Sequence, residues 1–284
     1  MSEFVEIFEV GPRDGLQNEA REIPTAEKIA LVDCLSRAGF QRIEVGSFVS
    51  PKWVPQMADS DAVLKDIKRV DGVSYAALAP NMRGYEGAVA AKVDEIAIFA
   101  SASEGFSKSN INATISESIE RFKPILKAAR HIDMPVRGYV SCVTDCPFDG
   151  PTPPQKVAEV AAELFALGCY EVSLGDTIGK GTPDSIAKML LAVLNEVPPH
   201  RLSGHYHDTG GRALDNIDVS LSMGLRVFDG AVGGLGGCPY APGAEGNVAT
   251  EAVNAHLVAL GYDTGLDSDV LAEAATMARA MRTG

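Results

Sequence analysis

Between Leu202 and Asp208 the chain reads Leu202-Ser203-Gly204-His205-Tyr206-His207-Asp208, a short run that ends in polar residues. A strand has a side-chain period of two, so His205 and His207 share one face. Downstream, Arg212–Met223 carries helical apolar spacing, Gly224 follows as a stop, and a new β-branched run begins at Arg226. Strand, polar turn, helix and glycine stop make one βα unit.

The unit recurs in both directions. Strands are expected at Val5–Val10, Arg42–Gly46, Ser74–Ala79, Glu95–Ala100, Val136–Ser141, Glu171–Gly175, Leu202–His207 and Arg226–Gly230. Helices are expected at Thr25–Ala38, Asp59–Lys68, Gly84–Ala91, Ser116–His131, Pro154–Leu167, Pro183–Asn195, Arg212–Met223 and Thr250–Leu260. Thr25 reads as a helix entry before Ala26-Glu27-Lys28, Thr182-Pro183-Asp184 places proline at a first helical position, and Gly39, Gly168 and Gly224 read as stops. Matched counts, with no linker or shift in composition, predict an α/β fold: one (β/α)8 TIM barrel over residues 1–284, with Leu266–Met281 as an extra C-terminal helix. A doubly wound open sheet is the alternative, because a strand count does not prove closure.

Composition narrows the partners. Lys and Arg number 25 against 38 Asp and Glu, a net charge of −13, so a general electrostatic grip on nucleic acid or anionic lipid is disfavoured. No apolar stretch approaches the roughly 20 residues of a membrane span. Met1-Ser2-Glu3-Phe4 runs straight into the apolar alternation of Val5, Ile7 and Val10, which gives a cytoplasmic expectation. The cysteines Cys34, Cys142, Cys146, Cys169 and Cys238 are odd in number and widely spread, so reduced thiols are expected. Cys142 and Cys146 lack the second ligand pair of a structural zinc site.

A barrel places its chemistry where the strands end, on the rim of βα loops. Arg13 and Asp14 follow the first expected strand, Glu44 lies at the end of the second, and Asp176 ends the sixth. His205 and His207 end the seventh, and Cys238 and Asn247 lie in the loop after the eighth. His205 and His207 read either as two hydrogen-bonded barrel histidines or as a pair that can converge on one ion, to which Asp14 and Asn247 from neighbouring loops would supply oxygen. That mixed nitrogen and oxygen set suits Mg²⁺, Mn²⁺ or a catalytic Zn²⁺. Arg13 offers the donor fork that an anionic oxygen needs. Glu44 and Asp176 read either as satisfied rim charges or as groups that orient a ligand or accept a proton. Gly233-Gly234-Leu235-Gly236-Gly237-Cys238 reads as a flexible approach bringing a thiol to a ligand, and it lacks the Gly-Lys-Ser/Thr ending of a P-loop.

These residues resemble those of the 3-hydroxy-3-methylglutaryl-CoA lyase family, in a superfamily of metal-dependent (β/α)8 barrels that make or break carbon–carbon bonds. The likeness covers nearly the whole chain, and its most specific piece is Gly233 to Glu251, GGLGGCPYAPGAEGNVATE. Further matches are Gly11-Pro12-Arg13-Asp14-Gly15-Leu16-Gln17-Asn18, Ile43-Glu44-Val45 leading to Ser47-Phe48-Val49-Ser50-Pro51, Ser173-Leu174-Gly175-Asp176-Thr177-Ile178-Gly179, and His205-x-His207-Asp208-Thr209. The resemblance implies a bacterial-type lyase that cleaves hydroxymethylglutaryl-CoA to acetoacetate and acetyl-CoA in leucine breakdown. It implies metal ligation by Asp14, His205, His207 and Asn247, substrate contact by Arg13, catalysis by the Cys238 thiol, and active-site roles for Glu44 and Asp176. The partner so implied is an acyl-CoA, and the oligomer a homodimer. A Claisen synthase or aldolase acting on a 2-oxoacid is the alternative on the same fold.

Overall fold

A computed structural model describes residues 2–236 and 246–283. Eight parallel strands form its sheet: β1 (Glu6–Glu9), β2 (Arg42–Ser47), β3 (Ser74–Leu78), β4 (Glu95–Ser101), β5 (Val136–Ser141), β6 (Glu171–Asp176), β7 (Leu202–Tyr206) and β8 (Val227–Gly230). Closure is decided by β1, which pairs with β2 at Glu9↔Ile43 and with β8 from Glu6↔Val227 to Glu9↔Gly230. First and last strands are neighbours, so the open-sheet alternative falls. A strand with both edges paired has no free ladder of donors and acceptors.

The elements fall within a few residues of their expected places. Thr182 accepts a hydrogen bond from the Ser185 backbone, and Ser185 reaches back to the Thr182 N–H, closing a capping box ahead of the helix Pro183–Val193. Gly168 caps Pro154–Leu167 at φ 110°, a left-handed conformation that costs glycine little. One entry signal is corrected. Thr25 is the first residue of its helix, after Pro24, and its hydroxyl donates to Asp59 at 2.6 Å instead of capping. The helix Glu104–Ile111 and the two-stranded ribbon of Asp145–Cys146 with Gly150–Pro151 were not anticipated. Both are too short for a periodic pattern to reveal. The extra C-terminal helix spans Ser268–Thr283 and buries Leu271, Ala274, Ala275, Ala278 and Met281 against the barrel. Among the described residues no helix is long and apolar enough to cross a membrane.

Most of the apolar core lies between strands and helices, where Ile7, Ile43, Val172 and Leu174 meet Leu31, Leu35, Val157 and Leu164. The lumen is different, for it carries charge. Arg42 forks onto Glu6 at 2.6 and 2.9 Å and reaches Glu171 at 3.2 Å. One layer above, the fully buried Arg137 bonds Glu171 at 2.7 Å and Asp229 at 2.6 Å, with Phe8 stacked on its guanidinium. Charges without water persist only when paired, and each of these two lumen guanidinium groups is matched by a pair of carboxylates.

Glu9 points away from the lumen and ties the first βα loop to the last. It accepts from Gly11 N at 2.7 Å, Val232 N at 3.0 Å and Thr250 Oγ1 at 2.7 Å. Burial pushes its carboxyl up to about 7, against the pull of those donors. Replacement by alanine strands buried donors, each costing about 1–3 kcal/mol, so Glu9→Ala is expected to lose about 2–5 kcal/mol in urea unfolding. Glu9→Gln, which keeps an acceptor for both backbone N–H groups, should stay within about 1 kcal/mol of wild type. A similar loss in both variants would contradict this account of the tie.

Candidate functional site

Each functional side chain is aimed by the strand or turn that carries it. In β7 the alternation turns Tyr206 outward to Ser220, 2.7 Å away, and leaves Ser203, His205 and His207 facing the lumen. Arg13 and Asp14 sit in a tight helical turn, Gly11–Gly15. Glycine is required at both of its ends. A Cβ on Gly11 would lie 2.5 Å from Glu9 Oε1, and one on Gly15 would lie 2.6 Å from the Leu235 Cβ. Asn247 is brought in by a bridge, pairing antiparallel with His207 on the returning chain.

The convergence is close. One ligand atom from each of Asp14, His205 and His207 lies within 4.8 Å of the others. Asn247 Nδ2 donates to Asp14 Oδ2 at 2.8 Å, which joins the fourth expected ligand to the group. Arg13 donates through Nε to Glu44 Oε2 and through Nη1 to Asp14 Oδ1, both at 2.6 Å. No described residue accepts from its Nη2. The Tyr139 hydroxyl donates to Glu44 at 3.3 Å. Arg13, Asp14, Tyr139, His205, His207 and Asn247 all line one cavity of about 610 Å³ at the C-terminal mouth of the barrel.

The electrostatics separate the groups. Burial acts to raise the Asp14 carboxyl, but the charge of Arg13, the two imidazoles and the Asn247 amide outweigh it and hold it at about 2. Asp14 is therefore a carboxylate at neutral pH. Burial, reinforced by the neighbouring His205, presses His207 down to about 4, so its ring is neutral. His205 moves upward: burial opposes its charge, while Asp229 at 3.1 Å and then Asp14 favour it. Glu44 is raised by burial despite Arg13, and its Oε1 is buried without a partner among the described residues.

These residues fit a divalent cation. His207 Nδ1 is buried with no hydrogen-bond partner among the described residues, on a neutral ring beside an ionised carboxylate and a second imidazole. A cation satisfies such a nitrogen, and the mixed N/O donors suit Mg²⁺, Mn²⁺ or Zn²⁺.

Among the described residues, one expected residue stands apart from this group. Asp176 ends β6 as anticipated, but Thr144 donates to its Oδ1 and Gly181 N to its Oδ2, both at 2.7 Å, and its side chain is off the cavity wall. Alternation explains the direction. Ser173 faces the lumen, where it bonds Asp229, so Gly175 also faces inward and Asp176 outward. There it holds the βα loop that begins with Thr177. Cys238 lies outside the described residues. Sequence reasoning did not name Tyr139, Arg137 or Asp229; period-two alternation, applied to each strand in turn, would have put all three in the lumen.

Comparison with known proteins gives the family. The HMGL-like family model matches residues 4–278. A Pseudomonas aeruginosa protein named 3-hydroxy-3-isohexenylglutaryl-CoA/hydroxy-methylglutaryl-CoA lyase is 58% identical over 270 residues, covering 95% of this chain and 90% of that one. The crystal structure of an HMG-CoA lyase from Brucella melitensis superposes with a TM-score of 0.99 at 63% identity, covering 100% of both chains. A second, from Acinetobacter baumannii in complex with coenzyme A and 3-methylmalate, gives 0.93 at 36% identity, covering 99% of this chain and 92% of that one. The chain belongs to the HMGL-like family, among its hydroxymethylglutaryl-CoA lyases, which are carbon–carbon lyases.

Proposed function

We propose that this chain cleaves (S)-3-hydroxy-3-methylglutaryl-CoA to acetoacetate and acetyl-CoA, with Asp14, His205, His207 and Asn247 holding a divalent cation, Mg²⁺ or Mn²⁺ before Zn²⁺. The observation that carries this reading is the meeting of Asp14, His205 and His207 in a cavity walled by Arg13, within a chain of this family. Bound there, the cation would chelate the tertiary hydroxyl and a second substrate oxygen and make that hydroxyl a stronger acid.

The hydroxyl proton needs an acceptor. His205 has a single lone pair to offer, at Nε2, because Nδ1 faces Asp229; it serves either the cation or the proton. Glu44 has an Oε1 with no partner among the described residues and a carboxyl raised by burial, and the Tyr139 hydroxyl links it to the cavity. We assign the proton to Glu44 through Tyr139 whenever His205 is a ligand. As the carbon–carbon bond breaks, negative charge moves onto the thioester oxygen, where Arg13 Nη2, which has no acceptor among the described residues, donates to it. Arg13 is pinned by Glu44 and Asp14, so little reorganisation accompanies that step. The enolate carbon then takes a proton. A cysteine thiol with a reference pKa of about 8.5 retains one near neutrality, and we give this role to Cys238. Asp176 supports the site by fixing its loop. We further read the chain as one catalytic domain, from its unbroken series of βα units, and as a cytoplasmic homodimer in leucine breakdown, as the family resemblance implies.

A coupled assay for acetoacetate tests the reading. Purified protein is expected to release acetoacetate with Mg²⁺ or Mn²⁺ and to lose activity reversibly on chelation. No acetoacetate from metal-loaded protein, or condensation of acetyl-CoA with a 2-oxoacid in its place, would overturn it. Cys238→Ser should lower kcat on the order of 10²–10⁴-fold while leaving Mn²⁺ affinity unchanged; retained activity removes the thiol from the mechanism. His207→Ala should weaken Mn²⁺ binding in titrations followed by electron paramagnetic resonance, and unchanged affinity would remove His207 from the ligand set.

A further inference from the structure

We infer that Asp229 sets the tautomer of His205, with Arg137 holding the carboxylate in place, and thereby sets how tightly the site binds its cation. Both are positioning residues, and the inference rests on the metal site proposed above. Asp229 lies in β8 as the direct cross-strand partner of His205 in β7, and both side chains face the lumen. Every neighbour of its carboxylate makes it an acceptor. Arg137 Nη2 donates to Oδ1 at 2.6 Å, and Arg137 Nη1 and Ser173 Oγ donate to Oδ2 at 3.1 and 2.9 Å. His205 Nδ1 lies 3.1 Å from the same Oδ2.

An ionised carboxylate has no proton to give, so Nδ1 must be the donor in that contact. In the neutral imidazole the lone pair is then on Nε2. That nitrogen faces Asp14 Oδ2 at 3.8 Å, beyond hydrogen-bond range, with a lone pair on each side of the gap. A cation placed there satisfies both atoms. Carboxylates bound to the far nitrogen of a ligating histidine fix ring and tautomer and raise its basicity, and losing one costs 10–100-fold in metal affinity.

Arg137 gives the carboxylate its fixed orientation. It is fully buried, its Nε donates to Glu171 at 2.7 Å, and Nη2 donates also to the Ser203 hydroxyl at 2.6 Å. The rings of Phe8 and Tyr139 lie 4.2 and 4.8 Å from its guanidinium carbon. Such a group has no freedom to follow a changed partner, and it cannot accept a hydrogen bond.

That rigidity makes Asp229→Asn informative. Both oxygen positions face Arg137, Oδ1 at 2.6 Å from Nη2 and Oδ2 at 3.1 Å from Nη1; the NH₂ takes the longer contact, at the Oδ2 position beside His205, where the Ser173 hydroxyl at 2.9 Å can turn to accept from it. Nδ1 then becomes the acceptor and the proton moves to Nε2, the atom facing Asp14. Long-range ¹H–¹⁵N spectra of metal-free protein labelled in its imidazoles, at about pH 8.5, should show Nδ1–H for His205 in wild type and Nε2–H in Asp229→Asn. Mn²⁺ titration by electron paramagnetic resonance should show a dissociation constant raised about 10–100-fold in the variant. An Nε2–H tautomer in wild type overturns the inference, with no need for the variant to fold. So does a folded Asp229→Asn whose Mn²⁺ affinity is unchanged, since a merely structural role would lower the melting temperature alone. Neither reading uses turnover, so an inactive wild type that binds Mn²⁺ would count against the lyase reaction and not against this inference.

Discussion

A charge inside a closed barrel has no water to return to, and the rest of this structure follows from how Arg137 meets that constraint. Its guanidinium joins Glu171 to Asp229, Asp229 holds His205, and His205 faces Asp14. Asp14 binds Arg13, and Arg13 binds Glu44. The ladder runs from the Arg42 layer at the floor to the cavity at the mouth, each rung being a charged group whose neighbour is of opposite sign or a hydrogen-bonding imidazole. A ladder of this kind adds little net stability over well-packed aliphatic residues. What it confers is position, because any rung that moved would leave a buried charge alone.

The loops at the mouth are tied from outside as well. Glu9 joins the turn that carries Arg13 and Asp14 to the Val232 backbone after β8. The C-terminal helix adds two further ties. Arg279 bonds Glu251, which accepts from Gly233 N, and Arg282 bonds Glu19, which accepts from Gly236 N. The described start of the glycine-rich loop is thus held by side chains from three distant parts of the chain. The helix, peripheral to the barrel by topology, takes part in the architecture of the site.

The fold was legible because a βα unit is local: apolar periodicity, a capping threonine and a glycine stop all lie within about thirty residues. The rim was legible too, since the residues after each strand gather there once closure is assumed, and Arg13, Asp14, His205, His207 and Asn247 do meet. What was hidden depends on pairing across the lumen. Arg137 and Asp229 are 92 residues apart, and nothing in either neighbourhood announces the other. Asp176 was placed at the correct strand end and its direction was left open, because a rim position says where a residue lies and only the strand's alternation says where it points. The Glu104–Ile111 helix escaped for a different reason, being held by the Ser103 cap and by the turn at Asn112 more than by an apolar stripe.

Asp14, His205, His207 and Asn247 are proposed to form one cation site at the mouth of the barrel. Anomalous diffraction from crystals soaked in Mn²⁺ tests it directly. The account predicts a peak bound by Asp14 oxygen and the two imidazole nitrogens at about 2.0–2.5 Å, with the Asn247 carbonyl oxygen completing the protein ligands. Crystals that bind Mn²⁺ on other residues, or leave this position without a peak, would contradict it.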